Sequence, residues 1–274
     1  MSLTKPTRSS QSEPGLPLSV RALDFLRYGD DEPQDVTGAV PRESPLLIRV
    51  NGTDLVTLLH TPARTTALVL GFLYLEGIIR GLDDVALLRV CDDETVAEVQ
   101  LSREVDVAAL QQRRTVTSGC GGGTTFGLLD PARLPPLSSP RPVSVAQVQD
   151  RMADLLLAAE AYLVAGGLHT SALSDGERLL VVAEDVGRHN TLDKLMGECL
   201  LRGLSPAGHI LLSTGRISSE MLLKAARMGV PVVVSRTSPT DLSVALAQDL
   251  GITLIGYVRG PTLNVYAGAE RVRG

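Results

Sequence analysis

The chain has no tryptophan, and aromatic residues make up only 3% of its 274 residues. Its core must therefore be built from Leu, Val, Ala and Ile, and 44% hydrophobic against 21% charged residues is ordinary for a soluble globular protein. No apolar run approaches the roughly 18 residues that a membrane-spanning helix needs, and the first residues lack the apolar stretch of a signal peptide. We therefore predict a cytoplasmic protein that does not contact a membrane.

Three cysteines and four histidines are present, and neither set has the spacing of a metal site. Without a Cys-x-x-Cys pair or a His-x-Glu motif, we predict no protein-ligated metal. The odd number and wide spacing of Cys91, Cys120 and Cys199 argue against a disulfide framework. The net charge of −5 argues against a large nucleic-acid-binding surface, and we predict no nucleic-acid partner.

Composition divides the chain into three regions. Ser, Pro and Thr dominate the first residues, and we predict a flexible segment over 1–40. Residues 41–140 are predicted to form a smaller N-terminal α+β domain, which carries a glycine-rich cysteine loop near its end. A Pro/Ser-rich stretch at 131–142 marks the boundary to a C-terminal domain over 141–274.

The N-terminal domain has a hairpin pattern. The dipeptide Asn51-Gly52 separates two apolar runs, which is typical of a tight turn between antiparallel strands. Pro62 after Thr61 is typical of a helix start. We predict strands over 46–50, 55–60, 86–90 and 96–101, and a helix from Thr61 through Leu75.

The C-terminal domain alternates strands with helices. The strands are apolar on both faces, which predicts an α/β fold with a parallel sheet covered on two sides. We predict strands over 179–183, 210–213, 230–235 and 253–257, and helices over 145–164, 190–201, 218–228 and 240–250.

Each of the four strands is followed by a loop that contains one arginine. The loops span 184–190, 213–218, 235–240 and 257–262. Ligands of such sheets bind at the carboxyl ends of the strands, and arginines with helix N-termini suit phosphate groups. The loops therefore predict a site for a polyanionic ligand such as a nucleotide. Ser and Thr there are also ordinary helix caps, and Asp185 is also placed to pair with Arg188.

Cys120 lies in the glycine-rich loop Thr117-Ser118-Gly119-Cys120-Gly121-Gly122-Gly123. A run of glycines lets backbone N–H groups point inward at an anion, which lowers the pKa of a thiol and makes it a nucleophile. Cys199 lies in an apolar segment and is predicted to be a core residue, and Cys91 is predicted to be structural. His169 and His189 are candidate proton donors or acceptors for Cys120, although backbone-bonded loop histidines and a Cys-His hydrolase remain open readings.

Several motifs in order resemble a known family. The run Asp185-Val186-Gly187-Arg188-His189-Asn190, followed by Asp193-Lys194, resembles the hallmark of the formate dehydrogenase accessory sulfurtransferases. From about residue 44 to 267 the resemblance also includes Val50-Asn51-Gly52, Thr61-Pro62, Gly71-Phe72-Leu73, Glu76-Gly77-Ile78-Ile79, Ser118-Gly119-Cys120-Gly121, Gly166-Gly167-Leu168-His169, Thr214-Gly215-Arg216 with Glu220, Ser238-Pro239-Thr240, Gly256-Tyr257-Val258-Arg259 and Asn264-Val265-Tyr266.

The resemblance implies a sulfur carrier that accepts sulfur from a cysteine desulfurase as a persulfide on Cys120. It passes the sulfur to the molybdenum cofactor, in its bis(molybdopterin guanine dinucleotide) form, before insertion into formate dehydrogenase or a related molybdoenzyme. The resemblance further implies a homodimer and a C-terminal three-layer α/β/α domain like that of cytidine deaminases. The predicted cofactor-binding residues are Arg188, His189, Arg216 and Ser238 in the arginine loops, and Tyr257, Val258, Arg259, Gly260, Pro261 and Thr262 in the stretch that the family uses.

The sequence departs from the family in one respect. The family's reactive loop often reads Cys-x-x-Cys, and Gly123 stands here where the second cysteine would be. Two rival functions stay open: a non-catalytic chaperone that binds and delivers the same cofactor, and a thiol hydrolase that acts on a nucleotide-linked substrate.

Overall fold

The computed structural model describes residues 16–29, 32–112, 115–116, 124–125, 134–137 and 141–274. Two larger sheets organise this part of the chain, one of four strands and one of six. The strands are β1 Val20–Arg27, β2 Gln34–Pro41, β3 Ser44–Val50, β4 Thr53–His60, β5 Val85–Val90, β6 Val96–Leu101, β7 Thr115–Val116, β8 Thr124–Thr125, β9 Val143–Ser144, β10 His169–Ser174, β11 Leu179–Asp185, β12 Ile210–Ser213, β13 Val232–Ser235, β14 Thr253–Arg259, β15 Thr262–Ala267 and β16 Val272–Arg273. The helices are α1 Thr65–Leu75, α2 Val107–Gln112, α3 Val145–Leu157, α4 Glu160–Ala165, α5 Arg188–Arg202, α6 Ser219–Arg227 and α7 Asp241–Asp249.

The four-stranded sheet has the order β4-β3-β6-β5. Asn51 and Gly52 both have positive φ, 48° and 79°, which is the geometry of the tight hairpin turn that the sequence predicts between β3 and β4. The inward-facing aliphatic side chains of these strands pack on α1 to form one core. The predicted strands and the turn of this region are confirmed.

Helix α1 is apolar on nearly all sides, and such a helix must be buried all round. It packs against the four-stranded sheet and against α5 of the C-terminal region. The helix begins at Thr65, four residues later than the sequence predicts. Arg64 is left-handed at φ 56°, and the backbone of Thr61 bonds to Asp185 and Lys194 rather than joining the first turn.

The six-stranded sheet has the order β11-β10-β12-β13-β14-β15. Strands β12, β13 and β14 are parallel, whereas β10 and β15 are antiparallel to their neighbours, so the sheet is mixed and not parallel as predicted. One face packs on α3, and the other packs on α5, α6 and α7. These are the three layers of the predicted α/β/α arrangement, and the likeness to cytidine deaminases stays a prediction.

The helix predicted over 145–164 is two helices, α3 and α4, with a break at Ala158 and Ala159. The side chain of Glu184 accepts hydrogen bonds from the backbone N–H groups of Ala161 at 2.9 Å and Tyr162 at 3.0 Å. A carboxylate from β11 therefore satisfies the free N–H groups of α4 and starts a new helix there.

The sequence predicts no strand within residues 1–40. The structure has β1 and β2 there, which form an antiparallel hairpin that packs on α4, while residues 1–15 lie outside the described residues. The outer half of the hairpin is exposed on both faces, so its strands lack the alternation of buried and exposed residues that would have predicted them.

Candidate functional site

The four arginine loops lie at one edge of the six-stranded sheet. Strands β11, β12, β13 and β14 run in the same direction, because β10 is antiparallel to both β11 and β12. Their carboxyl ends therefore meet at one edge, as the sequence predicts for loops 184–190, 213–218, 235–240 and 257–262. We call these four loops the arginine edge.

Hydrogen bonds, two of them involving buried serines, connect loops of the arginine edge. The hydroxyl of Ser235 donates to the carbonyl of Gly215 at 2.7 Å, and the hydroxyl of Ser213 accepts the backbone N–H of Gly215 at 3.1 Å. The backbone N–H of Tyr257 donates to the carbonyl of Thr237 at 3.0 Å. These bonds connect the backbones of loops 213–218, 235–240 and 257–262, which carry Arg216, Arg236 and Arg259.

Three of the four arginines of the edge form no ion pair with an acidic side chain among the described residues. Within the part of the chain that the structure describes, no ion pair involves Arg216, Arg236 or Arg259. The guanidinium of Arg259 lies 5.4 Å from the ring centroid of Tyr257 and donates to the carbonyl of Arg236 at 3.3 Å. Unpaired guanidinium groups around one edge attract anions, above all phosphates.

His169 joins the arginine edge as the first residue of β10. A Cβ on Gly215 would lie 3.3 Å from the Nδ1 of His169 and 3.1 Å from the Cβ of Arg188, so a larger residue would push these two side chains away by a few tenths of an ångström. Burial, followed by the charges of Arg188 and Arg216, lowers the pKa of His169. The residue is therefore a neutral imidazole at neutral pH. The sequence marked it as a proton-transfer candidate but did not include it among the cofactor-binding residues.

His189 is buried against the start of α6. Its Nε2 lies 3.2 Å from the hydroxyl of Ser218 and 3.4 Å from a carboxylate oxygen of Glu220. Burial lowers the pKa of His189 to about 3, although the charge of Glu220 opposes this shift. Nothing in the sequence links His189 to residues 218 and 220, because the contact is made between two helices.

The residues of the hallmark run 185–194 make two different sets of contacts. Asp185, which the sequence offers to Arg188, instead pairs with Lys194 at 2.7 Å, and both side chains are at most 1% exposed. The same carboxylate accepts the backbone N–H of Thr61 at 3.1 Å and the side-chain amide of Asn190 at 2.8 Å. Asp185 and its partners therefore hold the β4–α1 segment, whereas the side chains of Arg188 and His189 contact the neighbouring loop 213–218.

The two helices of this region cross at unusually short range. A Cβ on Gly71 of α1 would lie 1.7 Å from the carbonyl oxygen of Asp193, and one on Gly197 of α5 would lie 1.8 Å from the carbonyl oxygen of Ala67. The backbones touch because neither glycine has a side chain. We call this crossing, with the Thr61, Asp185, Asn190 and Lys194 bonds, the junction.

The predicted stretch 257–262 forms the end of β14 and the turn into β15. Tyr257 has a left-handed φ of 52° and is partly exposed, and Arg259, Gly260, Pro261 and Thr262 are exposed. The side chain of Val258, in contrast, is 3% exposed and packs in the core beneath α3. Ser238 is half-buried, and its carbonyl accepts the backbone N–H of Ile217.

Of the three cysteines, Cys120 lies outside the described residues, between β7 and β8 in the sequence. Cys199 is fully buried in the core, as predicted, and burial raises the pKa of its thiol to about 11. Cys91 directly follows β5, and its thiol donates to Asp93 at 2.8 Å and accepts the N–H of Val96. Both residues have a structural role, as the sequence predicts.

The described residues contain no group of three His, Cys, Asp or Glu side chains placed to hold a metal ion. They also contain no helix that combines the length and the apolar character needed to cross a bilayer.

Comparison with known proteins decides the family. Residues 41–273 match the model of the FdhD/NarQ family. The chain belongs to the FdhD/NarQ family. It is 37% identical over 251 residues to the sulfur carrier protein FdhD of Staphylococcus haemolyticus, covering 91% of this chain and 95% of the relative. It is also 37% identical over 250 residues to the protein of that name from Staphylococcus aureus strain MRSA252, with 90% and 94% covered.

A solved structure agrees with the family assignment. The crystal structure of a protein assigned as a formate dehydrogenase accessory protein from Desulfotalea psychrophila superposes with a TM-score of 0.73. It shares 26% sequence identity, and the match covers 93% of this chain and 99% of that one.

Proposed function

We propose that this protein is a sulfur carrier for a molybdoenzyme of the formate dehydrogenase type. It takes sulfur from a cysteine desulfurase as a persulfide on Cys120 and passes it to the molybdenum cofactor, in its bis(molybdopterin guanine dinucleotide) form. The cofactor is cargo and not a resident group of the protein. The names of the relatives support the sulfur-carrying role, and the arginine edge supports the kind of cargo.

The arginine edge is the single observation that carries the proposal. The cargo has two guanine nucleotide ends, each with a diphosphate, and therefore needs a wide cationic site. Arg216, Arg236 and Arg259 lie on separate loops of one sheet edge and have no acidic partner among the described side chains. Such guanidinium groups bind phosphate oxygens with two parallel hydrogen bonds.

Sulfur loading needs only one thiolate on this chain. The Cys120 thiolate attacks the terminal sulfur of the desulfurase persulfide, so that a new S–S bond forms on Cys120 and the desulfurase cysteine leaves as a thiolate. Because Gly123 stands where a second loop cysteine often lies in the family, the carrier works here with a single cysteine.

The proposal is tested by mass spectrometry after incubation with a cysteine desulfurase and cysteine. We expect a mass increase of about 32 Da, one sulfur atom, on the peptide that contains Cys120. The matched control Cys91→Ala should keep this adduct, and Cys120→Ala should lose it. An adduct that persists in Cys120→Ala would contradict the proposal.

Gly123 also favours one alternative, a chaperone that binds and delivers the cofactor without carrying sulfur. In that case Cys120→Ala would still activate formate dehydrogenase fully, whereas Arg259→Ala would not. For a sulfur carrier, both variants lose activation.

A further inference from the structure

Four ionisable side chains are buried together beneath the start of α6. Glu76 at the end of α1, Asp193 on α5, and Glu220 and Lys224 on α6 are each at most 6% exposed. We call these four residues the buried charge cluster. Neither persulfide formation nor phosphate binding uses them, and charges are costly to bury unless they serve a specific contact.

Lys224 lies at the centre of the buried charge cluster. Its Nζ donates to both carboxylate oxygens of Asp193, at 2.7 and 2.8 Å, and lies 3.8 Å from the Oε1 of Glu220. The charge of Glu76 also acts on Lys224 and Asp193. The ammonium group therefore attracts the Glu220 carboxylate from the side of Oε1.

The second carboxylate oxygen of Glu220 reaches the arginine edge. Oε2 lies 3.4 Å from the Nε2 of His189, which also lies 3.2 Å from the hydroxyl of Ser218. A continuous path of contacts therefore runs from Asp193 through Lys224 and Glu220 to His189. His189 also lies near Arg188, whose charge lowers the pKa of the imidazole further.

We infer that Glu220 is a positioning residue that fixes the tautomer of His189. The carboxylate accepts a hydrogen bond from the N–H of Nε2, so that the proton stays on Nε2 and Nδ1 is left unprotonated as a hydrogen-bond acceptor. An acceptor at this edge suits a donor group of the nucleotide portion of the cargo, such as a ribose hydroxyl or a guanine amino group. This use of the acceptor rests on the proposed function, whereas the tautomer does not.

Two features of the surroundings support this tautomer. Burial keeps the pKa of His189 far below neutral, so the ring carries a single proton at pH 7. The Ser218 hydroxyl caps α6 by accepting the N–H of Met221 at 3.4 Å. It can either accept a hydrogen bond from Nε2 or donate one to it, so it does not fix the tautomer. The carboxylate of Glu220 is acceptor-only, so it decides which ring nitrogen carries the proton.

The test is ¹⁵N NMR of the histidine rings in the full-length protein at pH 7. In the wild type we expect His189 to have a protonated Nε2 and a bare Nδ1. Glu220→Gln should shift the ring toward the other tautomer, because its amide group can donate to Nε2. The matched control Glu198→Gln, an acid on α5 that pairs with Arg202, should leave the signals of His189 unchanged.

A second variant separates the carboxylate from the hydroxyl. Ser218→Ala removes the hydroxyl and keeps Glu220, so the Nε2 proton should stay. A bare Nε2 in the wild type, or loss of the Nε2 proton in Ser218→Ala, would overturn the inference. Both results are independent of whether Glu220→Gln folds.

The role in binding is measured by titration with guanosine diphosphate. Glu220→Gln should weaken binding about tenfold, the usual effect of one lost hydrogen bond to a well-placed acceptor, and Glu198→Gln should not. Equal affinity of the two variants would overturn the positioning role. Failure of the wild type to bind the nucleotide, with the tautomer as expected, would count against the proposed function and leave the tautomer assignment standing.

Discussion

The junction and the arginine edge share the run 185–194 but use charge in opposite ways. In the junction, Asp185 and Lys194 are fully buried, and each has several partners within hydrogen-bonding distance. At the arginine edge, Arg216 and Arg259 are exposed and have no acidic partner among the described residues. The difference indicates that the buried charges hold the β4–α1 segment in place, whereas the exposed arginines are available to an anion, so the two regions need different tests.

The largest effect should come from breaking the buried pair of the junction. Lys194→Met leaves the Asp185 carboxylate at 0% exposure without its cation, and we expect the free energy of unfolding to fall by about 4 kcal/mol. Denaturant titration measures this loss. The control Arg202→Ala breaks a half-exposed pair with Glu198 at 2.7 Å and should cost less than about 1 kcal/mol. Equal losses for both variants would show that the Asp185–Lys194 pair contributes no more to stability than an exposed ion pair.

The helix crossing should be the next most sensitive feature. In Gly71→Ala the added methyl group meets the backbone of Asp193, so α1 and α5 must move apart, and we expect a loss of about 3 kcal/mol in the same titration. Gly81→Ala is the matched control, because a Cβ there meets no atom within 4 Å and the backbone is extended. If Gly71→Ala were as stable as Gly81→Ala, the close contact between α1 and α5 would not contribute to stability.

These long-range features are also the part that the sequence could not predict. Apolar periodicity and the Asn51-Gly52 turn were enough for eight of the sixteen strands in the described part of the chain and for most of its helices. Strand direction was enough to bring the arginine loops to one edge. The bonds from Thr61 to Asp185 and Lys194 join residues more than 120 positions apart, which no local pattern encodes. Strand β10 was missed because its buried Ser171 and Thr170 interrupt an apolar run.

A single sequence also could not show which residue of the hallmark run pairs with Asp185. Asp185 and Arg188 stand three positions apart and would suit a local ion pair. In the structure Asp185 forms its ion pair with Lys194, a buried residue of α5 that lies six positions after Arg188. The type of each residue was therefore visible in the sequence, but its partner was not.

The pH dependence of stability should distinguish a buried edge histidine from an ordinary one. The pKa of His189 is about 3 in the folded protein and 6.5 when unperturbed, so its contribution is present above pH 6.5 and is lost as the pH falls toward 3. Within this window the wild type should lose about 1.4 kcal/mol more per pH unit than His189→Gln. Thermal or denaturant unfolding between pH 7 and pH 5 measures the slope.

The control for this experiment is His209→Gln, a loop histidine that contacts the backbone carbonyl of Ala207. It should keep the slope of the wild type. An identical slope in wild type and His189→Gln would mean that His189 is not held neutral by its surroundings.

The most direct test of the account compares the two regions by nucleotide binding. Guanosine diphosphate is titrated by calorimetry into the wild type, Arg259→Ala and the exposed-pair control Arg202→Ala, and the melting temperature of each protein is recorded. Since Arg259 belongs to the arginine edge and not to the junction, we predict about tenfold weaker binding with an unchanged melting temperature. Unchanged affinity in Arg259→Ala, or a loss equal to that of Arg202→Ala, would contradict the assignment of the arginine edge as the cargo site.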